Sequence, residues 1–155
     1  MKGTLIGLLL VSSVLSGFQT EKSDKTAIEL FNGRNLEGWE IVNGGRFSVD
    51  EGVLKINRGP GWLRSSDTFG EFVMTMEFRY LETGANGGIF IRTGPTSADD
   101  SIGWPDNGYQ IQCMDTLTGT PLAHMIPYGA PPFEHHSDLE ALKRAYKPAG
   151  EWHTY

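Results

Sequence analysis

The stretch Asn86-Gly87-Gly88-Ile89-Phe90-Ile91-Arg92 decides the fold class of this chain. It predicts a strand that begins after a tight entry, because asparagine and glycine tolerate a positive φ. Side chains alternate along a strand, so the two isoleucines point to one face, and Phe90 and Arg92 to the other. A buried guanidinium needs a partner or a ligand, so Arg92 is a candidate site residue.

The same alternation occurs on either side of this stretch. The run 72–81 is the longest with a period of two, and its even-numbered apolar side chains predict a core-facing side. The run 109–114 alternates in the same way. We predict that the three strands are neighbours and that their polar side chains share one surface. That surface would carry Glu77, Arg79, Arg92, Gln110 and Gln112.

Such a surface suits a sugar, because amide and guanidinium groups form paired hydrogen bonds with hydroxyl groups. Trp104 lies in the polar loop 93–107 and could stack on a sugar ring or close a cleft. The alternative is a solvated sheet face with Glu–Arg pairs across strands. The predicted substrate-binding residues are Arg79, Asn86, Trp104, Gln110 and Gln112.

The N-terminus has the features of a secretory signal peptide. A basic start is followed by an apolar run from Leu5 to Leu15 and by small residues, with cleavage expected after Ser16 or Gly17. The run is short for a transmembrane span, although an uncleaved anchor is the alternative. We assign 1–17 to the signal peptide, 18–27 to a flexible lead-in and 28–155 to one domain. The protein is therefore expected to be exported, to the periplasm or the medium, with no span left after cleavage.

Composition narrows the function classes. The chain has a net charge of −6 and no basic stripe, which argues against binding to nucleic acid. Its 20 glycines and 8 prolines suit an all-β protein with many turns. The single cysteine, Cys113, can form no disulfide within the chain and is expected to be a small buried hydrophobe.

Several shorter patterns predict further elements. Segments 46–49 and 53–56 flank Asp50-Glu51-Gly52 and predict a hairpin. Segments 28–31 and 62–65 predict short strands, and segment 116–132 is predicted to be loop-rich. Segment 138–145 predicts a short helix with Ser137 or Asp138 as N-cap. The last five residues predict the start of a strand, so we expect the sequence to be part of a longer protein.

Six segments, in order, resemble motifs of the 3-keto-disaccharide hydrolase domain family. The segments are Leu30–Trp39 (LFNGRNLEGW), Asp50–Leu54 (DEGVL), Gly70–Arg79 (GEFVMTMEFR), Asn86–Arg92 (NGGIFIR), Gly108–Asp115 (GYQIQCMD) and Pro148–Trp152 (PAGEW). Gly87 stands where the family usually has serine, and His153 where asparagine is common. The resemblance implies a concanavalin-like jelly roll, an all-β sandwich of two antiparallel sheets.

The resemblance also implies cleavage of glycosides oxidised at C3. The ketone acidifies the C2 proton, so a base can remove it and the group at C1 can leave before water adds back. Arg92 is the expected partner of the enolate oxygen. The candidate bases are Glu77, Asp115, His124, His135 and His136, although Asp115 could instead cap a turn. Gln110 stands where the family often has glutamate, and glutamine cannot act as a base.

No cofactor follows from the sequence, although a divalent metal ion that polarises the ketone is an open alternative. The expected substrate is a 3-keto-glycoside, and a sugar 3-oxidoreductase would act upstream to supply it. Two other classes stay open on the same fold: a non-catalytic carbohydrate-binding module and a structural domain of the cell envelope. The predicted catalytic residues are Glu77, Arg92, Asp115 and His124.

Overall fold

The computed structural model describes the backbone of residues 6–9 and residues 27–94, 104–105 and 107–155. Within these ranges the chain is all-β apart from one short helix, and its strands pair in antiparallel ladders. The elements are β1 Ile6–Leu9, β2 Trp39–Val42, β3 Arg46–Asp50, β4 Val53–Arg58, β5 Trp62–Ser65, β6 Glu77–Tyr80, β7 Asn86–Ile91, β8 Gly108–Met114, β9 Met125–Tyr128, α1 Leu139–Ala145 and β10 His153–Thr154.

The described strands form three sheets. A five-stranded sheet has the order β10-β6-β1-β4-β3, a two-stranded sheet pairs β2 with β5, and a three-stranded sheet has the order β7-β8-β9. The all-β prediction is confirmed at this level. The prediction that β6, β7 and β8 are neighbours is wrong, because β6 pairs with β1 and β10 in a different sheet from β7 and β8.

The predicted hairpin is present between β3 and β4. Glu51 and Gly52 have φ values of 50° and 79°, so both central residues of the turn are left-handed. This is the type I′ pattern, whose twist matches that of the flanking strands. Asp50 pairs directly with Val53 across the turn.

The core collects side chains from two of the sheets. Phe78 and Tyr80 of β6 are fully buried, and Cys113 of β8 is 2% exposed. These residues belong to one cluster with Met76, Ala85 and Leu122. The buried state predicted for Cys113 is thus confirmed. The alternation predicted for β6 is also confirmed, because Glu77 and Arg79 lie between the buried residues of this strand.

The run 72–81 is less regular than its pattern suggested. Only Glu77–Tyr80 is a strand, while Phe72 is 43% and Val73 99% exposed. Phe72 was expected in the core, but its ring lies beside the guanidinium of Arg92. The alternation of apolar and polar residues therefore extends beyond the residues that form the strand. Sequence periodicity alone does not show where strand pairing begins.

One further element prediction is wrong, and one loop-rich segment contains a strand. Segment 28–31 is not a strand, although Phe31 is buried and the Leu30 carbonyl accepts a hydrogen bond of 2.7 Å from the Trp39 indole. Within the predicted loop-rich segment 116–132, residues Met125–Tyr128 form β9. Its Pro127 argues against a central strand, and β9 is indeed an outer strand that pairs with β8 alone.

The C-terminal part follows the sequence closely. Helix α1 begins after Asp138, whose carboxylate accepts a 2.8 Å hydrogen bond from the Ala141 amide, as expected of an N-cap. β10 pairs with β6 through His153 and Thr154. The Tyr155 and Met76 backbones exchange two further hydrogen bonds, so the ladder continues past the end of β10.

The proposed signal peptide and lead-in lie outside the described residues, except for the backbone of Ile6–Leu9 and for Ala27. This segment forms β1, which pairs with β4 on one side and with β6 on the other. In the described parts of the chain, no helix has the length and apolar character needed to cross a membrane.

Candidate functional site

The three-stranded sheet presents two buried amides on one face. Gln110 and Gln112 are 8% and 5% exposed, and the Gln110 Nε2 donates to the Gln112 Oε1 at 2.6 Å. The same nitrogen lies 3.3 Å from the Gly87 carbonyl, and the Gln112 Nε2 contacts the Met114 sulfur at 3.4 Å. Buried amides need such partners, because an unpaired polar group is costly away from water.

The second glycine of the opening motif makes room for these amides. A Cβ at position 88 would lie 2.2 Å from the Gln110 Nε2, so any larger residue would displace that side chain. Neither Gly87 nor Gly88 has a positive φ. The expectation that these glycines provide a positive φ is therefore wrong. At Gly88, glycine is needed because the Gln110 side chain approaches the backbone closely.

Aromatic rings lie on the same face as the amides. Phe90 pairs with Gln110 in the β7–β8 ladder, and directly opposed residues share a face. The rings of Phe90 and Tyr128 have centroids 5.4 Å apart, and those of Tyr128 and Trp104 are 6.3 Å apart. We call the surface formed by Phe90, Trp104, Gln110, Gln112 and Tyr128 the amide–aromatic face. It combines the polar and ring contacts that sugar recognition requires.

Asn86 and Arg92 mark the two ends of β7. Asn86 pairs with Met114 and has an exposed side chain. Arg92 follows directly after β7 and has a φ of 57°, so it is the positive-φ residue of the opening motif. A left-handed conformation in a residue with a Cβ costs about 1–2 kcal/mol, and such strain is concentrated at functional sites.

The guanidinium of Arg92 has an acidic partner. Its Nη2 lies 2.8 Å from the Glu71 Oε1, and its Cζ lies 5.8 Å from the centre of the Phe72 ring. The pair is open to solvent, since the Arg92 side chain is 46% and the Glu71 side chain 94% exposed. Glu71 was not among the predicted site residues. Its signal in the sequence is its place in Gly70–Arg79, one of the segments that resemble the family.

Glu77 and Arg79 lie on β6, in the five-stranded sheet. The Arg79 guanidinium carbon lies 4.9 Å from the Trp152 ring centre, and its buried Nε has no hydrogen-bond partner among the described residues. Glu77 and Arg79 therefore lie in a different sheet from Gln110 and Gln112. Gln110 and Gln112 lie on β8 of the three-stranded sheet, Trp104 contacts Tyr128 at the end of β9, and Arg92 and Asn86 lie at opposite ends of β7.

Asp115 follows β8 and connects three segments. One carboxylate oxygen accepts a 2.8 Å hydrogen bond from the Gly84 amide, and the other accepts a short hydrogen bond from the Tyr146 hydroxyl. That hydrogen bond to the carboxylate raises the pKa of Tyr146. These contacts fit the alternative in which Asp115 fixes a turn and holds the residue after α1.

His124 lies at a bend just before β9, where Ala123 has a φ of 65°. Its imidazole is in edge-to-face contact with that of His135, with ring centroids 4.9 Å apart. His135 in turn contacts Phe133, and Phe133 contacts Tyr109 of β8. No sequence pattern pairs His124 with His135, because the two residues lie in separate segments that only tertiary contacts bring together.

Buried ionisable groups belong to the core between the sheets. Burial raises the pKa of Cys113 to about 12, so its thiol stays protonated and is not a nucleophile at neutral pH. Burial also raises the pKa of Tyr80 and of Tyr155. Desolvation lowers the pKa of His153, which is 4% exposed and accepts a 3.1 Å hydrogen bond from the Lys147 amide.

Neither a cluster of metal ligands nor a pocket marks the predicted site among the described residues. The described residues contain no group of three or more histidine, cysteine, aspartate or glutamate side chains that could hold a metal ion. A shallow pocket lined by Leu30, Asn32, Ser65 and Phe69, among others, contains none of the predicted site residues. The candidate site is therefore a sheet face with two buried amides, together with the solvent-exposed Arg92–Glu71 pair that follows β7.

These features define an all-β domain in which one sheet face carries a buried amide pair and aromatic rings. A family model described as the 3-keto-alpha-glucoside-1,2-lyase-like domain matches residues 26–155, and the chain belongs to this family. The resemblance found in the sequence motifs is thereby confirmed. No curated protein and no solved structure matches the chain.

Proposed function

We propose that this domain cleaves glycosides of 3-keto sugars on the amide–aromatic face. The family name points to this substrate class, and the amide pair on the same sheet face as Phe90, whose ring contacts Tyr128, is the observation that supports it in this chain. The amides would bind sugar hydroxyls and the rings would cover a sugar plane. We also propose that the sheets stack as a concanavalin-like jelly roll.

The proposed reaction has two stages. A base removes the C2 proton, the C1–O bond breaks, and the departing oxygen takes up a proton, which leaves a C1–C2 double bond conjugated to the ketone. Water then adds across this bond, with hydroxide at C1 and a proton at C2. The net result is hydrolysis of the glycoside. A divalent metal on the ketone oxygen would assist the first stage.

In this proposal Arg92 stabilises the enolate oxygen, because a guanidinium opposes the charge that develops there. Glu71 is the base that we propose first, since its carboxylate contacts Arg92 at 2.8 Å. Glu77, Asp115 and His124 remain candidates from the sequence. Asp115 is the weaker of these, because both of its oxygens already accept hydrogen bonds within the fold.

A non-catalytic carbohydrate-binding module is the second candidate. The observation in its favour is the identity of the buried pair, since Gln110 and Gln112 bind sugar hydroxyls but cannot move a proton. On this alternative the Arg92–Glu71 pair contributes to affinity alone. Turnover separates the two candidates, because a binding module leaves the 3-keto-glycoside intact.

The test is cleavage of 3-keto-trehalose and of an aryl 3-keto-glucoside by the wild type, Arg92→Ala and Arg64→Ala. Arg64 is a matched control, because it forms another solvent-exposed ion pair, with Glu40 on β2. We expect turnover in the wild type and in Arg64→Ala and its loss in Arg92→Ala. Wild-type binding without turnover would establish the binding module, and equal rates in all three would remove Arg92 from the site.

We further propose that the protein is exported after removal of residues 1–17, and that a sugar 3-oxidoreductase supplies its substrate. The substrate chemistry supports the second proposal, because a C3 ketone must be made by oxidation of a C3 hydroxyl before any elimination can occur.

A further inference from the structure

His124 and His135 are two imidazoles that long-range contacts bring together. Their ring centroids are 4.9 Å apart with an interplanar angle of 78°. Zinc binds an imidazole nitrogen at about 2.0–2.1 Å, so two rings on one tetrahedral ion have centroids roughly 5 Å apart. The observed centroid separation lies close to this distance.

Backbone hydrogen bonds position His124, and ring contacts position His135. The His124 backbone is fixed to β8 on one side, since its carbonyl accepts a 2.8 Å hydrogen bond from the Gln112 amide, and its own amide donates to the Pro121 carbonyl at 3.1 Å. His135 is positioned through ring contacts with Phe133, which packs on Tyr109 of β8. Ligands placed in advance lose less entropy when they bind an ion.

The surroundings leave the pair open to solvent. His124 is half-buried and His135 is exposed, so an ion from solution can reach both rings. Within the described residues no third histidine, cysteine or acidic side chain completes a cluster with them. An ion held here would therefore keep positions for water or for substrate oxygens, as catalytic rather than structural sites do.

We propose that His124 and His135 form a two-histidine site for a borderline divalent transition-metal ion of the zinc, nickel or cobalt class. Imidazole nitrogen suits these ions, whereas calcium and magnesium prefer oxygen ligands. The binding itself is independent of the proposed reaction. Only a role in polarising the substrate ketone rests on the proposed function.

The test is a titration of the full chain with Zn²⁺, followed by calorimetry and by NMR of the imidazole rings. The chain has four histidines, and His136 and His153 serve as internal references. We expect one site per chain and joint shifts of the His124 and His135 resonances. We expect His135→Ala to weaken Zn²⁺ binding by at least about tenfold. His136→Ala, the neighbouring exposed residue, should bind as the wild type does.

No saturable binding by the wild type would overturn the site and leave the two rings as a packing contact. Equal weakening in His135→Ala and His136→Ala would overturn it as well, because binding would then be diffuse. Since His135 is exposed, its loss should leave thermal unfolding unchanged, which a melting curve checks. A Zn²⁺ site without any keto-glycoside turnover would refute the proposed function and leave the metal site intact.

Discussion

Arg92 and Glu71 form an ion pair of 2.8 Å between a residue just after β7 and one in the irregular segment before β6. The pair spans 21 positions of sequence and lies in the open. Exposed ion pairs contribute about 0–1 kcal/mol to stability, so this one is not needed to hold the fold. A positive φ at Arg92 adds to the case that the position serves function.

The first prediction separates the effect of backbone strain at Arg92 on stability from the effect of its guanidinium on activity. Replacing Arg92 by glycine removes the guanidinium and also the steric cost of the left-handed backbone, whereas Arg92→Ala removes the guanidinium alone. We expect glycine to give the higher unfolding free energy of the two variants, by about 1 kcal/mol. Both should lose activity by a factor of about 100 or more.

Denaturant unfolding and initial rates measure these two effects. If alanine and glycine at this position unfold at the same denaturant concentration, the backbone strain at Arg92 is not real. If either variant keeps the wild-type rate, the guanidinium is not part of the site.

The second prediction concerns the space at Gly88. A Cβ there would lie within 2.6 Å of three Gln110 side-chain atoms, so Gly88→Ala should destabilise the domain by about 1–3 kcal/mol. Gly70→Ala is the control, because nothing lies within 4 Å of its added Cβ and its φ is not positive. In the Gln110→Ala background the Gly88→Ala cost should shrink, which a double-mutant cycle measures. An undiminished cost would mean that Gln110 does not occupy that space.

The third prediction is a pH dependence of stability. Folding lowers the pKa of His153, mainly through desolvation, so the unfolded chain binds the proton more readily. The unfolding free energy should therefore be highest above about pH 6.5, the pKa of histidine in the unfolded chain, and should decrease as the pH falls below that value. Denaturant unfolding from pH 8 to pH 5 measures this slope.

His153→Gln should flatten the slope in that window, whereas His136→Gln, which changes an exposed histidine, should not. An identical slope in all three proteins would show that His153 is not the titrating group.

The fourth prediction concerns the N-terminus. The signal-peptide pattern predicts that the exported protein begins at Gly17 or Phe18, whereas β1 pairs with β4 and β6 through residues 6–9. Both cannot describe the mature protein. We expect the intact mass of the exported protein to lack residues 1–16 or 1–17, which leaves β4 and β6 without β1 between them. An exported protein that retains residues 6–9 would contradict the signal-peptide prediction.

Structural predictions from the sequence are most accurate where the alternation of residue types coincides with strand pairing. The alternation in β8 placed Cys113 in the core and the two glutamines on the opposite face, and the register confirms this. The expectation that the glutamines face outward is wrong, because they are 8% and 5% exposed. Asp138 was predicted as an N-cap from residue type alone. These features depend on neighbours in sequence, which is the information that a single chain provides.

Predictions from the sequence are wrong or absent where segments that are far apart along the chain come into contact. Nothing in the pattern of β6 indicates that it pairs with β10 rather than with β7, so Glu77 and Arg79 were grouped with the wrong strands. The contacts of Arg92 with Glu71 and of His124 with His135 also depend on long-range closure. Residue types suggest what a side chain can do, but tertiary contacts decide what it meets.

The most direct test of the central proposal is cleavage of a 3-keto-glucoside in D₂O, with NMR analysis of the released 3-keto sugar. Removal of the C2 proton followed by hydration predicts one deuterium at C2 in the wild-type product, and no product from Arg92→Ala. A product formed by the wild type that retains its original hydrogen at C2 would contradict the account, because the C1–O bond would then break without an enolate for Arg92 to stabilise.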